Sequence, residues 1–380
     1  MKSSSLHVDY FMFFAALFLV MLGLLMVTSA SMTVSAMQFG SAYHFALRHA
    51  CMIFMGIVTL CVTVRIPLSF WRKLSVPMLL LALLLLIIVC IPGIGHNING
   101  SRRWLALAGF TFQASELAKC AMILFVSDFL QRRENDLHRS MRPLVNLFIL
   151  LTIIAVLLLL EPDFGALTVI VSIVMSLTFL AGIPLRYFIY IASSALLALG
   201  VIAISAPYRM MRLTSFLNPW QHPFSSGYQL TQSLIAIGRG GVSGLGLGEG
   251  MQKLSYLPEA HTDFVFAVIG EELGLIGCGV VLLLLAILVF RGYQVARQSM
   301  RLQHRFAGYI GYGVSTWIGV QSAINIGVNA GVLPTKGLTL PLISYGGTSV
   351  VMTGLALGWL FRVYHENMAW QERNFAYDQH

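Results

Sequence analysis

Residues 257–274 read LPEAHTDFVFAVIGEELG, and they mark the point where the long polar segment of the chain ends and a long apolar stretch begins. Asp263 lies at this boundary, so we expect its carboxylate where water meets lipid. An aspartate at the start of a helix is also typical of a cap that satisfies free backbone amides. His261, Glu259 and the basic loop before them favour a chemical site instead, since such neighbours can tune a general base.

The composition predicts the all-α class, as a polytopic integral membrane protein. Of the 380 residues, 57% are hydrophobic and only 10% are charged, whereas about a quarter of the residues in a soluble domain are charged. Helices satisfy their own backbone groups in lipid, and each crossing takes roughly 20 apolar residues. We expect a single domain over residues 1–380. Its ten predicted transmembrane helices are 10–30, 47–64, 76–91, 114–131, 143–160, 164–181, 187–206, 263–290, 307–330 and 346–363.

The basic residues predict the orientation of the chain in the membrane. Ten spans place both termini on one side, where fifteen Lys and Arg residues fall, against four in the short loops opposite. Because basic residues accumulate in cytoplasmic loops, both termini are predicted to be cytoplasmic. The long loop 207–262 then faces outward, and its aromatic and apolar residues favour an ordered, membrane-hugging segment over a disordered connector. The net charge of +9 is scattered through short loops, which argues against binding of nucleic acid.

Ionisable side chains inside predicted spans are costly to bury, and they mark either function or a structural clamp. Glu116 and Lys119 are three residues apart on one helix face, so they can pair with each other. Glu271 and Glu272 lie roughly 12–14 Å deeper than Asp263 at 1.5 Å per residue, and either can pair with Lys119 between helices. For Glu116, Lys119 and Glu272 the clamp and the site are equally weighted interpretations.

Basic residues on the outer side are candidates for binding a phosphate group. Arg102 and Arg103 lie beside Trp104, and arginine is suited to bidentate phosphate recognition. Anchoring in lipid headgroups is the alternative interpretation. His261 is expected to orient a neighbour or form a hydrogen bond rather than bind a metal. The candidates for binding pyrophosphate or sugar are Arg102, Arg103, Arg209, Arg212, Arg239, Lys253, His261 and Lys336.

The sequence PTKGLTLP at 334–341, followed by SYGG at 344–347, predicts a re-entrant or broken-helix segment. Irregular backbone at membrane depth is tolerated only inside protein or around a cavity. Asn325 and Asn329, four residues apart on the preceding span, are expected to face the same interior, where hydrogen bonds between helices are the simpler interpretation. The polar groups together suit a substrate with a lipid tail and a phosphate head.

These motifs together resemble the SEDS family (RodA/FtsW/SpoVE) of membrane peptidoglycan glycosyltransferases. The resemblance covers nearly the whole chain, and PTKGLTLP and QKLSYLPEAHTDF are more similar to the division branch than to the elongation branch. Ala114 and the sequence SYGGTS at 344–349 depart mildly from the family pattern. The motifs are NGSRRW (99–104), SELAK (115–119), EPDFG (161–165), NPW (218–220), GYQLTQSLIAIGRGG (227–241), LPEAHTDFVFAVIGEELG (257–274) and LPTKGLTLPLISYGG (333–347).

The resemblance implies polymerisation of lipid II into glycan strands at the outer face of the cytoplasmic membrane during cell division. Asp263, the acid of the HTD motif, would take the proton from the acceptor 4-hydroxyl, and undecaprenyl pyrophosphate would leave. The basic candidates, together with a divalent cation (Mg or Mn), would stabilise that leaving group. The implied partners are lipid II, the growing glycan strand, a class B penicillin-binding protein (an FtsI-type transpeptidase) and other divisome proteins at the septum.

Two other functions stay open. A lipid II flippase needs polar groups through the full depth of the bilayer, whereas the unusual ones in this chain cluster in the outer half. A non-enzymatic divisome scaffold would need Asp263 only as a helix cap. If Asp263 is not the base, Glu259 or Glu271 is the next candidate.

Overall fold

The structure, a computed structural model, describes residues 7–98, 101–107, 110–137, 141–204, 211 and 215–377. Helices dominate these residues and confirm the predicted all-α class. A short 3-10 turn covers Pro219–Gln221. The helices are α1 (Tyr10–Phe39), α2 (His44–Arg65), α3 (Leu68–Lys73), α4 (Ser75–Cys90), α5 (Ala114–Arg132), α6 (Glu134–Leu137), α7 (Arg142–Leu160), α8 (Phe164–Leu180), α9 (Leu185–Ile204), α10 (Tyr228–Gly240), α11 (Val265–Arg301), α12 (Arg305–Asn329) and α13 (Gly347–Tyr377).

Each predicted span overlaps one of the long helices. Within the part of the chain that the structure describes, α1, α2, α7 and α11 are long and apolar enough to cross a membrane, and α4 and α8 are shorter apolar helices. Helix α5 is more polar because most of its residues are buried in the bundle, including Glu116, Lys119 and Asp128. A helix that is surrounded by protein does not need an apolar face toward lipid.

Helix α12 lies at the centre of the bundle. It packs against α11, α8, α5 and α13. Its large side chains Trp317 and Tyr309 are almost completely buried. The C-terminal end of α12 carries Asn325 and Asn329, which lets one central helix hold the loops that meet at this end of the bundle.

A small antiparallel sheet between α4 and α5 was not predicted. Strands β1 (Gly95–Ile98), β2 (Ser101–Leu107) and β3 (Phe110–Gln113) pair in that order, with Trp104 opposite Gln113. The strands are short, and they lack the sustained alternation of apolar and polar residues that predicts a half-buried strand. Since Gln113 is also the residue that precedes α5, the sheet leads directly into the helix of Glu116.

Helix α11 runs from one end of the bundle to the other. Asp263 precedes its first turn, and Arg291 lies about 40 Å further along its axis at 1.5 Å per residue. Arg291 forms an ion pair with Asp9, just before α1. The backbone N–H of His7 donates a hydrogen bond of 3.1 Å to Nδ1 of His365. Both chain ends therefore meet at the end of the bundle opposite Asp263.

Helix α11 is broken at Gly274, whose φ of 65° is left-handed. The break leaves backbone groups without helical partners, and the glycine-rich loop 241–246 supplies them. The Leu245 amide donates to the carbonyl of Glu271 at 3.0 Å, and the Leu275 amide donates to a loop carbonyl at 3.0 Å. The first turns of α11 are thus a separate half-helix that the glycine-rich loop holds in place.

Candidate functional site

A cavity of about 410 Å³ lies at the end of the bundle that carries Asp263. Its wall is built from α2, the sheet, α5, α8, α10, the loop before α11, the irregular segment 332–346 and the start of α13. The cavity brings three cations and three carboxylates together. Its charged lining residues are Arg48, Arg103, Glu116, Glu259, Asp263 and Lys336.

Two asparagines of α12 position the backbone of Asp263. The side-chain amide of Asn325 donates to the Asp263 carbonyl at 2.8 Å, and that of Asn329 donates to the same carbonyl at 3.0 Å. The Oδ1 atom of Asn329 accepts a hydrogen bond of 3.0 Å from the amide of Ala267. The two asparagines therefore form hydrogen bonds with the backbone at the start of α11. These bonds hold the half-buried Asp263 at the cavity.

The segment 332–346 is non-helical, as predicted, and side chains of α12 satisfy part of its backbone. The amide of Asn325 donates to the carbonyl of Leu338 at 2.5 Å. Gln321 Nε2 donates to the carbonyl of Thr339 at 2.9 Å. These bonds explain how irregular backbone is tolerated inside the bundle. Helix α12 therefore supports two parts of the cavity wall, the start of α11 and the segment 332–346.

Gly337 lies between Asp263 and Arg103. A Cβ atom built at Gly337 would lie 3.2 Å from Oδ2 of Asp263 and 3.9 Å from Nη1 of Arg103. A side chain at this position would fill the space between the carboxylate and the guanidinium. The glycine therefore leaves bare backbone between the two charged groups.

The guanidinium of Arg103 is anchored on the turn between α7 and α8. Its Nε donates to the carbonyl of Glu161 at 3.2 Å, and its Nη2 donates to the carbonyl of Pro162 at 2.5 Å. Among the described residues, Nη1 has no hydrogen-bond partner. Two backbone bonds thus fix the orientation of Arg103 at the cavity wall and leave its third nitrogen uncommitted.

Glu161 is a buried acid beside Arg103. Its side chain is 1% exposed, and neither carboxyl oxygen has a hydrogen-bond partner within the described ranges. Burial raises the pKa of Glu161 to about 9, and the neighbouring Asp163 carboxylate adds to the rise. Glu161 is therefore neutral at neutral pH and does not offset the charge of Arg103. A glutamate between two predicted spans is expected to be solvated, so only the tertiary structure reveals this burial.

Lys336 is the cation that the segment 332–346 contributes to the cavity. Its Nζ lies 3.4 Å from Oγ1 of Thr168 and 4.4 Å from the ring centroid of Phe164. No described carboxylate forms a salt bridge with it. Burial lowers the pKa of Lys336 from 10.5 to about 8. Lys336 is thus a half-buried amine without a counter-ion in the described part of the chain.

The predicted pair of Glu116 and Lys119 is confirmed. Lys119 Nζ lies 2.8 Å from Oε1 of Glu116, donates to Oε1 of Gln321 at 2.7 Å, and lies 4.7 Å from the ring centroid of Trp317. Lys119 is completely buried and does not line the cavity, whereas Glu116 does. The pair links α5 to α12 and holds one wall of the cavity.

The prediction that Lys119 pairs with Glu271 or Glu272 is wrong. Lys253 Nζ lies 2.7 Å from Oε1 of Glu272, and Nη1 of Arg239 lies 3.8 Å from Oε1 of Glu271. The end of α10 and the loop that follows it fold back onto these glutamates beside the break in α11, so residues 239–253 supply the compensating charges. Arg239 and Lys253 are therefore placed away from the cavity, on the two buried carboxylates.

Two further sequence candidates that the structure describes, Arg102 and His261, do not line the cavity. Arg102 is exposed on β2. The ring of His261 packs against Phe45 and Tyr345, with centroid distances of 4.9 and 5.5 Å, and burial lowers the pKa of His261. Two candidates lie outside the described residues: Arg209 and Arg212.

Arg48 is a cavity cation that we did not single out from the sequence. It lies near the start of α2, lines the cavity, and is hydrogen-bonded to Tyr345. The available signal was its position on the outer side, where basic residues are few. A cation in a predicted outer loop is more often an interfacial anchor, which is why this signal is weak.

The cavity does not present the donor set of a resident metal site. In the described ranges, no three His, Cys, Asp or Glu side chains come together to hold an ion. Glu116 is committed to Lys119, and Glu259 accepts a hydrogen bond of 2.7 Å from Oγ1 of Thr262. A divalent cation (Mg or Mn) therefore stays a prediction from the family resemblance.

The chain matches the family model FtsW/RodA/SpoVE, described as Cell cycle protein, over residues 9–369. It is 51% identical to a probable peptidoglycan glycosyltransferase FtsW of Legionella pneumophila, over 93% of this chain and 89% of that protein. It is 48% identical to a Coxiella burnetii protein of the same description, over 94% of this chain and 96% of that protein.

Solved structures show the same architecture. The chain is similar to a chain from a peptidoglycan synthase complex, described as the structural coordination of polymerization and crosslinking, with a TM-score of 0.79 and 29% identity over 96% of this chain and 99% of that chain. It is also similar to the rod shape determining protein RodA of Thermus thermophilus, with a TM-score of 0.68 and 27% identity over 95% of this chain and 98% of that chain.

Proposed function

The chain belongs to the FtsW/RodA/SpoVE family of cell cycle proteins, and on that basis we propose that it polymerises lipid II into glycan strands with Asp263 as the general base. The chain is a membrane protein, because several of its helices are long and apolar enough to cross a membrane. It is also a peptidoglycan glycosyltransferase, the activity by which its relatives in Legionella pneumophila and Coxiella burnetii are described. The observation that carries the proposal is a half-buried Asp263 carboxylate in a cavity that also holds cations.

The chemistry needs one base and a stabilised leaving group. The acceptor 4-hydroxyl gives its proton to Asp263 and attacks the anomeric carbon of the donor sugar. The new glycosidic bond forms with inversion as the bond from that carbon to the pyrophosphate oxygen breaks. The pyrophosphate leaves with the bonding electrons and remains on its undecaprenyl carrier. Because it leaves as an anion, the step needs positive charge at that oxygen rather than a general acid.

The geometry separates the alternative bases. Glu271 is completely buried, and its oxygens accept hydrogen bonds of 3.1 Å from the amides of Met251 and Gln252. A carboxylate held in this way supports the loop and lies away from the cavity. Glu259 lines the cavity beside Asp263 and is the base to test if Asp263 fails.

We further propose that the cavity faces the outer surface of the cytoplasmic membrane, at the division septum, with both termini in the cytoplasm. The meeting of the two chain ends at the opposite end of the bundle supports this orientation, as does the distribution of basic residues. Similarity to a chain of a complex that coordinates polymerization and crosslinking supports a class B penicillin-binding protein of the FtsI type as partner. Lipid II, the growing strand and other divisome proteins complete the proposed set.

The decisive experiment measures lipid II polymerisation by the purified protein, wild type against Asp263→Asn, with the penicillin-binding protein present and its own chemistry blocked. We expect glycan strands from the wild type and none from the variant, because the swap removes the base at nearly the same volume. The variant should retain the thermal midpoint of the wild type and binding of the partner.

The other outcomes each point elsewhere. Equal strand synthesis by both proteins would remove Asp263 as the base and make Glu259→Gln the next variant. An absence of strands from the wild type, with lipid II crossing the membrane of reconstituted vesicles, would indicate a flippase. An absence of both activities, with the partner still bound, would indicate a scaffold.

A further inference from the structure

We propose that Arg72 and Arg132 form a binding site for the phosphate headgroup of an anionic phospholipid, in the leaflet opposite the Asp263 cavity. Arg72 lies in the last turn of α3, and Arg132 lies in the last turn of α5. The two arginines are far apart in the chain, and the packing of α3 and α4 against α5 brings them together. Neither arginine lines the cavity, so the site is separate from the chemistry proposed for Asp263.

The carboxylate of Asp128 orients the two guanidiniums. Nε of Arg72 donates to its Oδ1 at 2.9 Å, Nη2 of Arg132 lies 2.7 Å from its Oδ2, and the Ser75 hydroxyl donates to Oδ2 at 3.1 Å. The side chain of Asp128 is only 6% exposed, whereas those of Arg72 and Arg132 are 43% and 49% exposed. A buried carboxylate thus fixes two arginines that also reach the surface of the protein.

The cluster carries more positive charge than its own fold requires. One arginine is enough to neutralise the buried carboxylate of Asp128, and the second leaves a net positive charge. Arg72 is bonded through Nε alone, so its two η nitrogens have no hydrogen-bond partner in the described part of the chain. The planar fork of a guanidinium is suited to binding phosphate oxygens. The cluster therefore offers oriented donors and a surplus of charge to an anion.

Two neighbouring cations add to this charge. Lys73 follows Arg72 directly, and Arg65 ends α2 just before α3. Both side chains are exposed, and neither forms a salt bridge within the described ranges. By contrast, Nη1 of Arg133 lies 3.0 Å from a carboxylate oxygen of Asp136. The positive charge that lacks a described partner is thus concentrated where α2, α3 and α4 meet.

This corner lies at the end of the bundle opposite the cavity. Nη1 of Arg362 donates to the carbonyl of Val64 at 3.2 Å, and the amide of Leu68 donates to Oε1 of Glu366 at 3.0 Å. These two residues of α13 flank His365, which meets the N-terminal segment at that end. A phospholipid bound at the corner therefore belongs to the leaflet farther from Asp263.

Exposed apolar side chains beside the arginines favour a lipid over a soluble phosphate. Phe70 precedes Arg72 by two residues and is 47% exposed, and Leu80 in the apolar helix α4 is 61% exposed. A headgroup bound to the arginines would place its acyl chains along such side chains. Basic pockets at the ends of membrane helices bind anionic headgroups in this way. A zwitterionic headgroup carries its own cation, so it would gain less from the surplus charge.

The test titrates the purified full-length protein with phosphatidylglycerol and measures the bound lipid by native mass spectrometry. We expect Arg72→Met and Arg132→Met each to weaken binding of the first lipid by about fivefold or more, because each removes one basic residue at the headgroup. Each variant leaves one arginine on Asp128, so the thermal midpoint should stay near that of the wild type. Wild-type affinity in either variant would overturn the site.

The matched control is Arg186→Met, which changes the net charge by the same amount. Arg186 is exposed at the start of α9, a helix that packs against α8 and not against α3 or α5 in the described part of the chain. This variant should bind phosphatidylglycerol like the wild type. An equal loss of binding in Arg186→Met would show that only net charge matters and would overturn the site.

Two competing ligands identify the class of ligand. Phosphatidylcholine should bind about fivefold or more weakly than phosphatidylglycerol, since it has no net charge. Equal binding of the two lipids would contradict a site for an anionic headgroup. Inorganic phosphate at the same concentration should not displace phosphatidylglycerol, because it makes no apolar contacts. Displacement would indicate a site for free phosphate and would make the proposal wrong.

Two further variants test the geometry and the location. Arg72→Lys keeps the charge but loses the fork that contacts Asp128 and the phosphate together, so it should bind more weakly than the wild type. Wild-type affinity in Arg72→Lys would indicate diffuse attraction to the lipid surface instead of an oriented site. Asp263→Asn should bind phosphatidylglycerol like the wild type, because the two sites lie at opposite ends of the bundle. Loss of lipid binding in Asp263→Asn would place the lipid in the cavity and overturn the proposal.

Discussion

The side-chain amide of Asn325 donates one hydrogen bond of 2.8 Å to the backbone carbonyl of Asp263 and another of 2.5 Å to that of Leu338. One side chain of α12 thus joins the start of α11 to the irregular segment that carries Lys336. The proposed base and a proposed phosphate ligand are positioned by a residue that is bonded to their backbone segments, not to their charged groups. Asn325 is therefore a positioning residue, and its replacement should lower the kcat of lipid II polymerisation.

Replacing Asn325 by leucine removes both bonds at similar volume. We expect kcat for lipid II polymerisation to fall by about 10- to 100-fold, since a displacement of about 1 Å at a reacting group has an effect of this size. KM should change by only a few-fold, because the charged groups are retained. The control is Ser322→Ala on the same helix, which removes a buried hydroxyl that has no described hydrogen-bond partner. A leucine variant with the wild-type kcat would show that Asn325 is only structural.

The space beside Gly337 is predicted to be required for activity. The methyl group of Gly337→Ala would lie 3.2 Å from Oδ2 of Asp263, closer than ordinary contact. We expect about a tenfold or greater loss of polymerisation with little change in the thermal midpoint. Gly238→Ala is the matched control, because nothing lies within 4 Å of its added methyl group. This control lies within α10 and should gain about 0.5–1 kcal/mol of stability while keeping full activity. Full activity in Gly337→Ala would contradict the proposed geometry.

The buried pair of Lys253 and Glu272 should show coupling in a double-mutant cycle. Removing one partner leaves an uncompensated buried charge, so Lys253→Met and Glu272→Gln should each lower the free energy of unfolding by about 3–5 kcal/mol. The double variant should lose clearly less than the sum, because no charge is left unpaired. Thermal unfolding in detergent measures all four proteins. Additive losses would mean that the 2.7 Å pair contributes nothing through its charges.

The amine of Lys336 should make stability depend on pH. Its pKa falls from 10.5 in the unfolded chain to about 8 in the folded protein. Between these values the unfolded chain holds more protons, so the free energy of unfolding should rise with pH from about 8 to about 10.5 through this group. The measurement compares the thermal midpoints of wild type and Lys336→Met across this range. If the two proteins show the same pH dependence, the pKa of Lys336 does not fall on folding.

The proposed orientation can be read by cysteine labelling in a background without the native cysteines. Leu247 lies in the glycine-rich loop and is 54% exposed, whereas Gln303 is exposed in the turn between α11 and α12. We expect a membrane-impermeant thiol reagent to label Leu247→Cys in intact cells and to label Gln303→Cys only after lysis. The reverse pattern would place the cavity on the cytoplasmic side.

Features that depend on neighbouring residues were predictable from the sequence. The apolar runs located the long helices because a membrane crossing needs a fixed length of apolar chain. Glu116 and Lys119 were predicted to pair because three residues along a helix bring two side chains to one face. The two prolines and the glycines after α12 predicted irregular backbone, since these residues interrupt a helix.

Other features arise from contacts between distant segments. Glu272 was expected to pair with Lys119, yet it pairs with Lys253, because the glycine-rich loop packs against α11 at the break at Gly274. The positions of the charged residues in the sequence do not predict that this loop packs against α11. The sheet escaped prediction for a similar reason: its short strands are stabilised by pairing with each other and by the helices beside them.

The sequence by itself determined that this protein is a bundle of membrane helices and that Asp263 lies where an apolar helix meets a polar loop. Both properties follow from local composition, since the length of each apolar run and the position of a charged residue can be read directly from the sequence. Only the tertiary structure decided which cations share a cavity with Asp263. Arg103 and Lys336 lie there, whereas Arg239 and Lys253 neutralise buried carboxylates elsewhere. The physical reason is that the charge state and partner of a side chain depend on its burial and on neighbours that folding brings from remote parts of the chain.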